Sequence, residues 1–234
     1  MLELTDVNAY YEKSHVLHNL SLTIDEDQIV TLLGRNGAGK STTIKSIMGL
    51  VTVKSGSVTY REENITHQAI EQRTSLKIGY IPEKRRIIPN LTVEENLRLA
   101  QLGADEYLEI SDVIDQFENL QRRIDQPGRT LSGGEQQMLA IARALIQDPD
   151  LLLVDEPSEG LMPVLSERVF EFLEEIGGSG LTILLTEQQA LNALNISDYA
   201  YIIDKGAVVA EDTAQEFENR PEVLEEYIGI HESA

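Results

Sequence analysis

The stretch Gly34-Arg35-Asn36-Gly37-Ala38-Gly39-Lys40-Ser41 decides how the rest of this 234-residue chain is read. Its glycines, Lys40 and Ser41 fall in the register of a phosphate-binding loop. In such a loop backbone N–H groups cradle phosphates, a lysine reaches the β- and γ-phosphates, and a serine hydroxyl ligates Mg²⁺. The flanks agree. Gln28-Ile29-Val30-Thr31-Leu32-Leu33 is mostly apolar, as a buried parallel strand should be. A helix from about Gly39 to Met48 follows, its N-terminal dipole aimed at the phosphates. The bland alternative, a glycine-rich turn without a ligand, leaves Lys40 and Ser41 in register unexplained. By itself the loop does not choose among kinase, GTPase and ATPase.

Working outward, Leu151-Leu152-Leu153-Val154-Asp155-Glu156 reads as a buried strand that delivers Asp155 to its carboxyl end, where open α/β sheets bind ligands. An acidic turn after a core strand is common, but a phosphate loop upstream makes a second nucleotide motif the better reading. Leu2–Val7 and Leu20–Ile24 alternate like half-exposed antiparallel strands. Ser57–Tyr60, Ile78–Ile81, Leu181–Thr186, Tyr199–Asp204 and Ala207–Ala210 read as further strands, with a helix over about Val164 to Ile176.

From Thr92 to Ile146 the texture is helical. Thr92 and Glu95 form a capping box. Val93, Leu97 and Leu99 follow, then an amphipathic stretch over Tyr107, Leu108, Val113, Ile114 and Phe117. Met138–Leu145 is helical and apolar on one face, and Pro149 stops it. The order of sheet, helical insert and sheet predicts one α/β domain. Its parts are a P-loop NTPase core over 1–91 and 147–234, including an antiparallel β subdomain, and an inserted α-helical subdomain over 92–146.

The chain has 40 acidic and 19 basic residues, a formal net charge of −21, and no cysteine. Disulfides and cysteine metal sites are excluded. Such self-repulsion destabilises a compact state at low salt and is screened in molar salt, where the Debye length is about 3 Å. The expectation is a halophilic source; an ordinary acidic protein, or one with a basic partner, is the alternative. A nucleic-acid partner would want a basic stripe, so none is expected. Met1–Asp6 has no basic n-region, so no signal peptide is expected. No apolar run approaches the roughly 18–20 residues that span a bilayer. A soluble, intracellular protein follows as the default.

Leu131-Ser132-Gly133-Gly134-Glu135 reads locally as a loop-to-helix junction, with Ser132 a fair N-cap and two glycines that let a backbone approach closely. This element continues as Gln136-Gln137. Together with the phosphate loop and the strand ending in Asp155-Glu156, it resembles the ATP-binding subunit of an ABC transporter, over essentially the whole chain. The resemblance implies ATP and Mg²⁺ as cofactors. It places Gly34, Asn36, Gly37, Ala38, Gly39, Lys40, Ser41 and Thr42 around the phosphates. Ser41, Glu83 and Asp155 orient Mg²⁺ or its waters, and Glu156 acts as base. Tyr11 matches the aromatic that stacks on adenine, with Glu12 where the family commonly has Gly; a half-buried strand tyrosine is the alternative. Ser132, Gly133 and Gly134 would serve ATP bound on a second subunit, so a head-to-tail dimer with two sandwiched ATP molecules is expected.

Departures from the family pattern narrow the branch. Ile78–Glu83 matches the segment that ends in the Q-loop glutamine, but has Glu83 there. Thr186-Glu187-Gln188-Gln189 matches the H-loop, with Gln188 at the histidine position. Ser158–Pro163 matches the D-loop, with Met162 where Asp is usual. Glu83 followed by Lys84–Thr92, together with Thr186–Gln188, resembles the second ATP-binding subunit of the branched-chain amino acid importers. Urea or other amide and amino acid importers are the runner-up. Gln188 can donate a hydrogen bond to the γ-phosphate but carries no proton at neutral pH, so the site leans on Glu156.

The implied partners are membrane permease subunits, a solute-binding protein indirectly, and a second ATP-binding subunit. That subunit is either a different chain with the more usual residues or a second copy of this one. The implied location is peripheral, on the cytoplasmic side of the cell membrane. A soluble ABC ATPase uncoupled from transport would want a coiled-coil insert, a second cassette or a basic surface. A small-molecule P-loop kinase would leave Leu131–Glu135 unexplained.

Overall fold

Alternating burial builds the first sheet of the computed structural model, which describes residues 1–102 and 106–229. Strands β1 (Leu2–Tyr11) and β2 (Ser14–Ile24) pair antiparallel out to Tyr11 and Ser14, so both outrun the segments legible by alternation. Register shifts within the pair break that alternation. In the turn between them Glu12 takes φ 53, a left-handed conformation that favours glycine.

The fully buried β3 (Ile29–Leu33) leads through the phosphate loop into α1 (Lys40–Ile47). Then come β4 (Thr52–Tyr60), β5 (Glu63–Asn64), α2 (Ile70–Thr74) and β6 (Ile78–Ile81). The helical region holds α3 (Val93–Gln101), α4 (Ile110–Ile114), α5 (Glu118–Gln121) and α6 (Gly133–Leu145). The chain closes with β7 (Leu151–Asp155), α7 (Pro163–Gly177), β8 (Thr182–Glu187), α8 (Ala190–Asn195), β9 (Tyr199–Asp204), β10 (Ala207–Thr213), α9 (Ala214–Glu218) and α10 (Pro221–Tyr227).

One antiparallel sheet has the order β2-β1-β4-β5, and the second has the order β10-β9-β3-β8-β7-β6. The second sheet is parallel except for β10, which returns antiparallel on β9. Its strands feed two cores from opposite faces. Leu151 and Leu153 pack with Ile44, Leu4 and Val58 towards α1 and the first sheet. Leu152 and Val154 pack with Leu139, Ile141 and Phe170 towards α6 and α7. Each such side chain contributes roughly 1.5–3 kcal/mol by leaving water, which is why β7 and β8 read as continuous apolar runs.

The expected capping box closes α3: Thr92 Oγ1 accepts from Glu95 N, and Glu95 Oε2 accepts from Thr92 N. Val93 and Leu97 are buried, whereas Leu99, six residues past Val93 and so off that face, is 40 % exposed. The stretch from Tyr107 to Phe117 is not one amphipathic helix. Tyr107 is 50 % exposed, Leu108 lies outside any helix and is tied by its N–H to the Ile146 carbonyl, and Phe117 caps α5.

Behind the phosphate loop, Arg73 is buried and spends its guanidinium on backbone carbonyls. Nη1 donates to Ser46 O and Ile47 O at the carboxyl end of α1, Nη2 to Thr66 O and Nε to Gln68 O. A cation there complements the helix dipole and satisfies carbonyls that have no partner within the helix.

Candidate nucleotide-binding site

The parallel sheet sets the site through its register. Leu33 pairs with Glu187, and Asp155 pairs with Thr186, so the carboxyl ends of β3, β7 and β8 lie side by side. The phosphate loop leaves β3 at that edge. Gly37 takes φ 81 and Gly39 φ 121. A Cβ on Gly39 would meet Leu17 Cδ2 at 2.9 Å, so both conformation and space require glycine there. Ala38 is fixed through its own N–H to Arg35 O and through its carbonyl, which accepts from Gly206 N.

A cleft of about 390 Å³ opens over the loop. Its walls include Asn36, Gly37, Gly39, Lys40, Ser41 and Thr42, faced by Glu83, Glu156 and Glu159. Lys40 is 3 % exposed. Its Nζ donates to Gly34 O at 2.8 Å and Arg35 O at 3.3 Å, and pairs with Glu156 Oε1 at 2.9 Å. Gln188 Nε2 donates to the other oxygen, Glu156 Oε2, at 2.8 Å. Glu156 itself stands at φ 46, an uncommon region for a residue with a side chain. Its N–H is held by Thr186 O at 3.0 Å and Thr186 Oγ1 at 3.1 Å.

Beside this pair, Asp155 Oδ1 accepts from Ser41 Oγ at 2.8 Å and Thr186 Oγ1 at 2.9 Å. Asp155 Oδ2 is buried without a hydrogen-bond partner. Burial pushes the Asp155 carboxyl above the usual aspartate range, against the opposing hydrogen bonds from Ser41 and Thr186. A buried, unsatisfied carboxylate oxygen beside a serine hydroxyl fits a hard divalent cation that asks for oxygen ligands. Among the described residues no group of His, Cys, Asp and Glu could hold a metal ion by itself. Mg²⁺ draws most of its ligands from phosphate and water.

The structure brings Asn36 to Ser41, Thr42, Glu83, Asp155, Glu156 and Gln188 to one neighbourhood, with Gly34 contributing its carbonyl. Two other predicted groups stand apart. Tyr11 ends β1, is 43 % exposed and does not line the cleft; Val16 of β2 does. Ser132, Gly133 and Gly134 open α6 and do not line it either. There Ser132 Oγ caps the helix by accepting from Glu135 N at 3.3 Å, while Glu135 Oε2 accepts from Ser132 N at 2.8 Å.

Sequence reasoning assigned no role to Thr186, although its hydroxyl ties Asp155 to the Glu156 backbone. The available signal was a hydroxyl residue at the end of an otherwise apolar buried strand. Glu187 was also missed. It is 2 % exposed, and burial raises its carboxyl above the usual glutamate range.

The fold and the cleft define a P-loop nucleoside triphosphatase. The family described as ABC transporter matches residues 17–159. The high-affinity branched-chain amino acid transport ATP-binding protein BraG of Pseudomonas aeruginosa is 40 % identical over 98 % of this chain and 100 % of its own. The probable branched-chain amino acid transport ATP-binding protein LivF of Archaeoglobus fulgidus is 40 % identical over 92 % of this chain and 93 % of its own. The lipopolysaccharide export system ATP-binding protein LptB of Haemophilus influenzae is 33 % identical over 94 % and 93 %. A dimeric ATP-binding cassette in a post-hydrolysis state with ADP and phosphate superposes with a TM-score of 0.79 at 25 % identity, over 92 % of this chain and 99 % of that one. This chain belongs to the ABC transporter family, as an ATP-binding, ATP-hydrolysing subunit.

Proposed function

We propose that this chain energises an importer of branched-chain amino acids, working peripherally on the cytoplasmic side of the membrane with permease subunits and a solute-binding protein. The observation that carries the reading is the 40 % identity, over 98 % and 92 % of this chain, to two ATP-binding proteins named for that transport. A urea or other amide importer and an uncoupled soluble ATPase are the alternatives. Among the described residues no helix is long and apolar enough to cross a membrane, so the pathway would belong to partner chains. The acidic surface suits a salt-rich cytosol.

Hydrolysis at this site is positioning and charge stabilisation. Lys40 and the loop N–H groups hold the phosphates. Glu156 takes the proton of the attacking water, and Gln188 orients it through Oε2. Mg²⁺, when bound, neutralises charge on the phosphate oxygens; Ser41 and Asp155 would hold it, with Glu83 at the rim. Tyr11 would stack on adenine from the hairpin tip. Ser132, Gly133 and Gly134, which do not line the chain's own cleft, would serve ATP bound on the facing subunit, a different chain or a second copy.

The test is ATP-dependent uptake of labelled leucine, isoleucine and valine by membrane vesicles holding the assembled transporter, with urea as competitor. Uptake that follows urea instead would move the assignment. ATP hydrolysis without any solute movement would favour the uncoupled ATPase.

A further inference from the structure

The turn that follows β7 carries Glu156, and two charged side chains outside the reacting groups grip it. From the sheet side, Glu187 Oε1 accepts from Ser158 N at 3.1 Å. Its Oε2 accepts from Gln188 N at 3.0 Å and Gln189 N at 3.3 Å. From the helical side, Arg85 Nη2 donates to Glu159 O at 3.2 Å, and Arg85 Nε donates to Gln137 Oε1 at 3.2 Å on α6. The N–H of Ser158 and the carbonyl of Glu159 belong to consecutive residues, so an anion and a cation hold neighbouring points of one turn.

A cap for α8 alone would use only the Gln188 and Gln189 amides. The bond from Ser158 is the extra one, and it joins the segment bearing Gln188 to the segment bearing Glu156. Glu156 needs such support. A non-glycine residue at positive φ carries a conformational cost, which contacts that hold its turn offset. Charge-assisted hydrogen bonds to backbone are strong enough to do so.

We propose that Glu187 and Arg85 are positioning residues for ATP hydrolysis, which together fix the Glu156–Glu159 turn and tie it to α6. This rests on the ATPase reading of the cleft. Neither side chain lines the cleft, so they set the rate and leave ATP binding alone.

Glu187→Gln keeps the shape but turns an NH₂ towards backbone N–H donors. Arg85→Lys keeps the charge but loses the fork that reaches Gln137 and Glu159 at once. The test uses the full chain, with steady-state ATPase measured against ATP concentration and amide hydrogen exchange at Ser158, Gln188 and Gln189. We expect each variant to lower kcat roughly tenfold, the effect of one lost charge-assisted bond, with KM for ATP within about twofold. The double variant should fall little below the worse single, because both act on one turn. Exchange at Ser158 should quicken in both variants, and at Gln188 and Gln189 in Glu187→Gln.

Unchanged kcat in both variants, a KM that rises in step with the loss, or a double loss equal to the product of the singles overturns the proposal. Should Glu187→Gln fail to fold, Arg85→Lys at a half-buried position decides by the same readouts. A wild-type chain that neither binds nor hydrolyses ATP overturns the reading of the cleft itself. Exchange still judges the clamp in that case, and unchanged protection in both variants removes it.

Discussion

Lys40 Nζ and Glu156 Oε1 are 2.9 Å apart, so the lysine expected on the phosphates and the carboxylate expected on the attacking water neutralise each other. ATP has to compete with Glu156 for Lys40. A triphosphate offers Lys40 more negative charge than one carboxylate, and Glu156 is then left on Gln188 alone. On the proposed roles, the ion pair would hold Glu156 until the phosphates arrive.

Glu156→Gln should therefore remove the base while leaving ATP binding intact. We expect ATP-bound dimers to accumulate and hydrolysis to slow at least ~10²-fold, the scale of lost general-base catalysis. Undiminished steady-state hydrolysis by the purified variant would sink the assignment.

Gln188→Ala should cost far less. A neutral hydrogen bond is worth roughly 0.5–1.5 kcal/mol net, about 2- to 13-fold in rate. Because Gln188 bonds to Glu156, the same change in a Glu156→Gln background should add almost nothing. ATPase rates for the two singles and the double check this. Loss as complete as that of Glu156→Gln would make Gln188 essential to the chemistry.

Ser132→Arg should block hydrolysis in the assembled dimer yet spare ATP binding to the isolated chain, since Ser132 stands outside the chain's own cleft. Nucleotide titration of the folded variant decides. Lost binding would count against the head-to-tail arrangement.

Asp155→Asn should stabilise the ligand-free chain, because a buried carboxylate with one unpaired oxygen is costly. The expected gain is roughly 0.5–2 kcal/mol. Burial raises the carboxyl's pKa in the folded state, so the unfolded chain loses its proton first as pH rises. Wild-type stability therefore falls as pH climbs out of the ordinary aspartate range, and the variant's advantage should open across that interval. Melting curves at acidic and neutral pH without nucleotide provide the check. An advantage that is largest in acid would refute it.

Melting temperature should also rise from dilute buffer to molar KCl, since salt screens a net charge of −21. No rise, or a fall, removes the halophilic reading.

The phosphate loop and the Asp155-Glu156 strand end were legible because backbone geometry dictates residue type locally. The roles of Thr186, Glu187 and Arg85 were not. They come from contacts between distant positions: Thr186 meets Asp155 across 31 positions, Glu187 meets Ser158 across 29, and Arg85 meets Glu159 across 74. The short helices α8, α9 and α10 offered too few turns for a periodic signal. Tyr107 to Phe117 reads as one amphipathic stretch because apolar spacing alone does not register where the backbone breaks. The capping box at Thr92 and the N-cap at Ser132 differ from these cases: each is closed within four residues, the structure keeps both, and at Ser132 it adds Glu135 to complete a box.

Arg73 has one more consequence. It clasps the far end of α1, while the near end grows directly out of the phosphate loop. Cradle and helix therefore behave as one bolted strut against the sheet, unable to slide along its axis without abandoning several carbonyls to an apolar interior. Movement on nucleotide arrival would then fall to the loop bearing Glu83, at the rim of the cleft, rather than to the cradle. A neighbouring chain resting on that loop would sense whether the cradle is full.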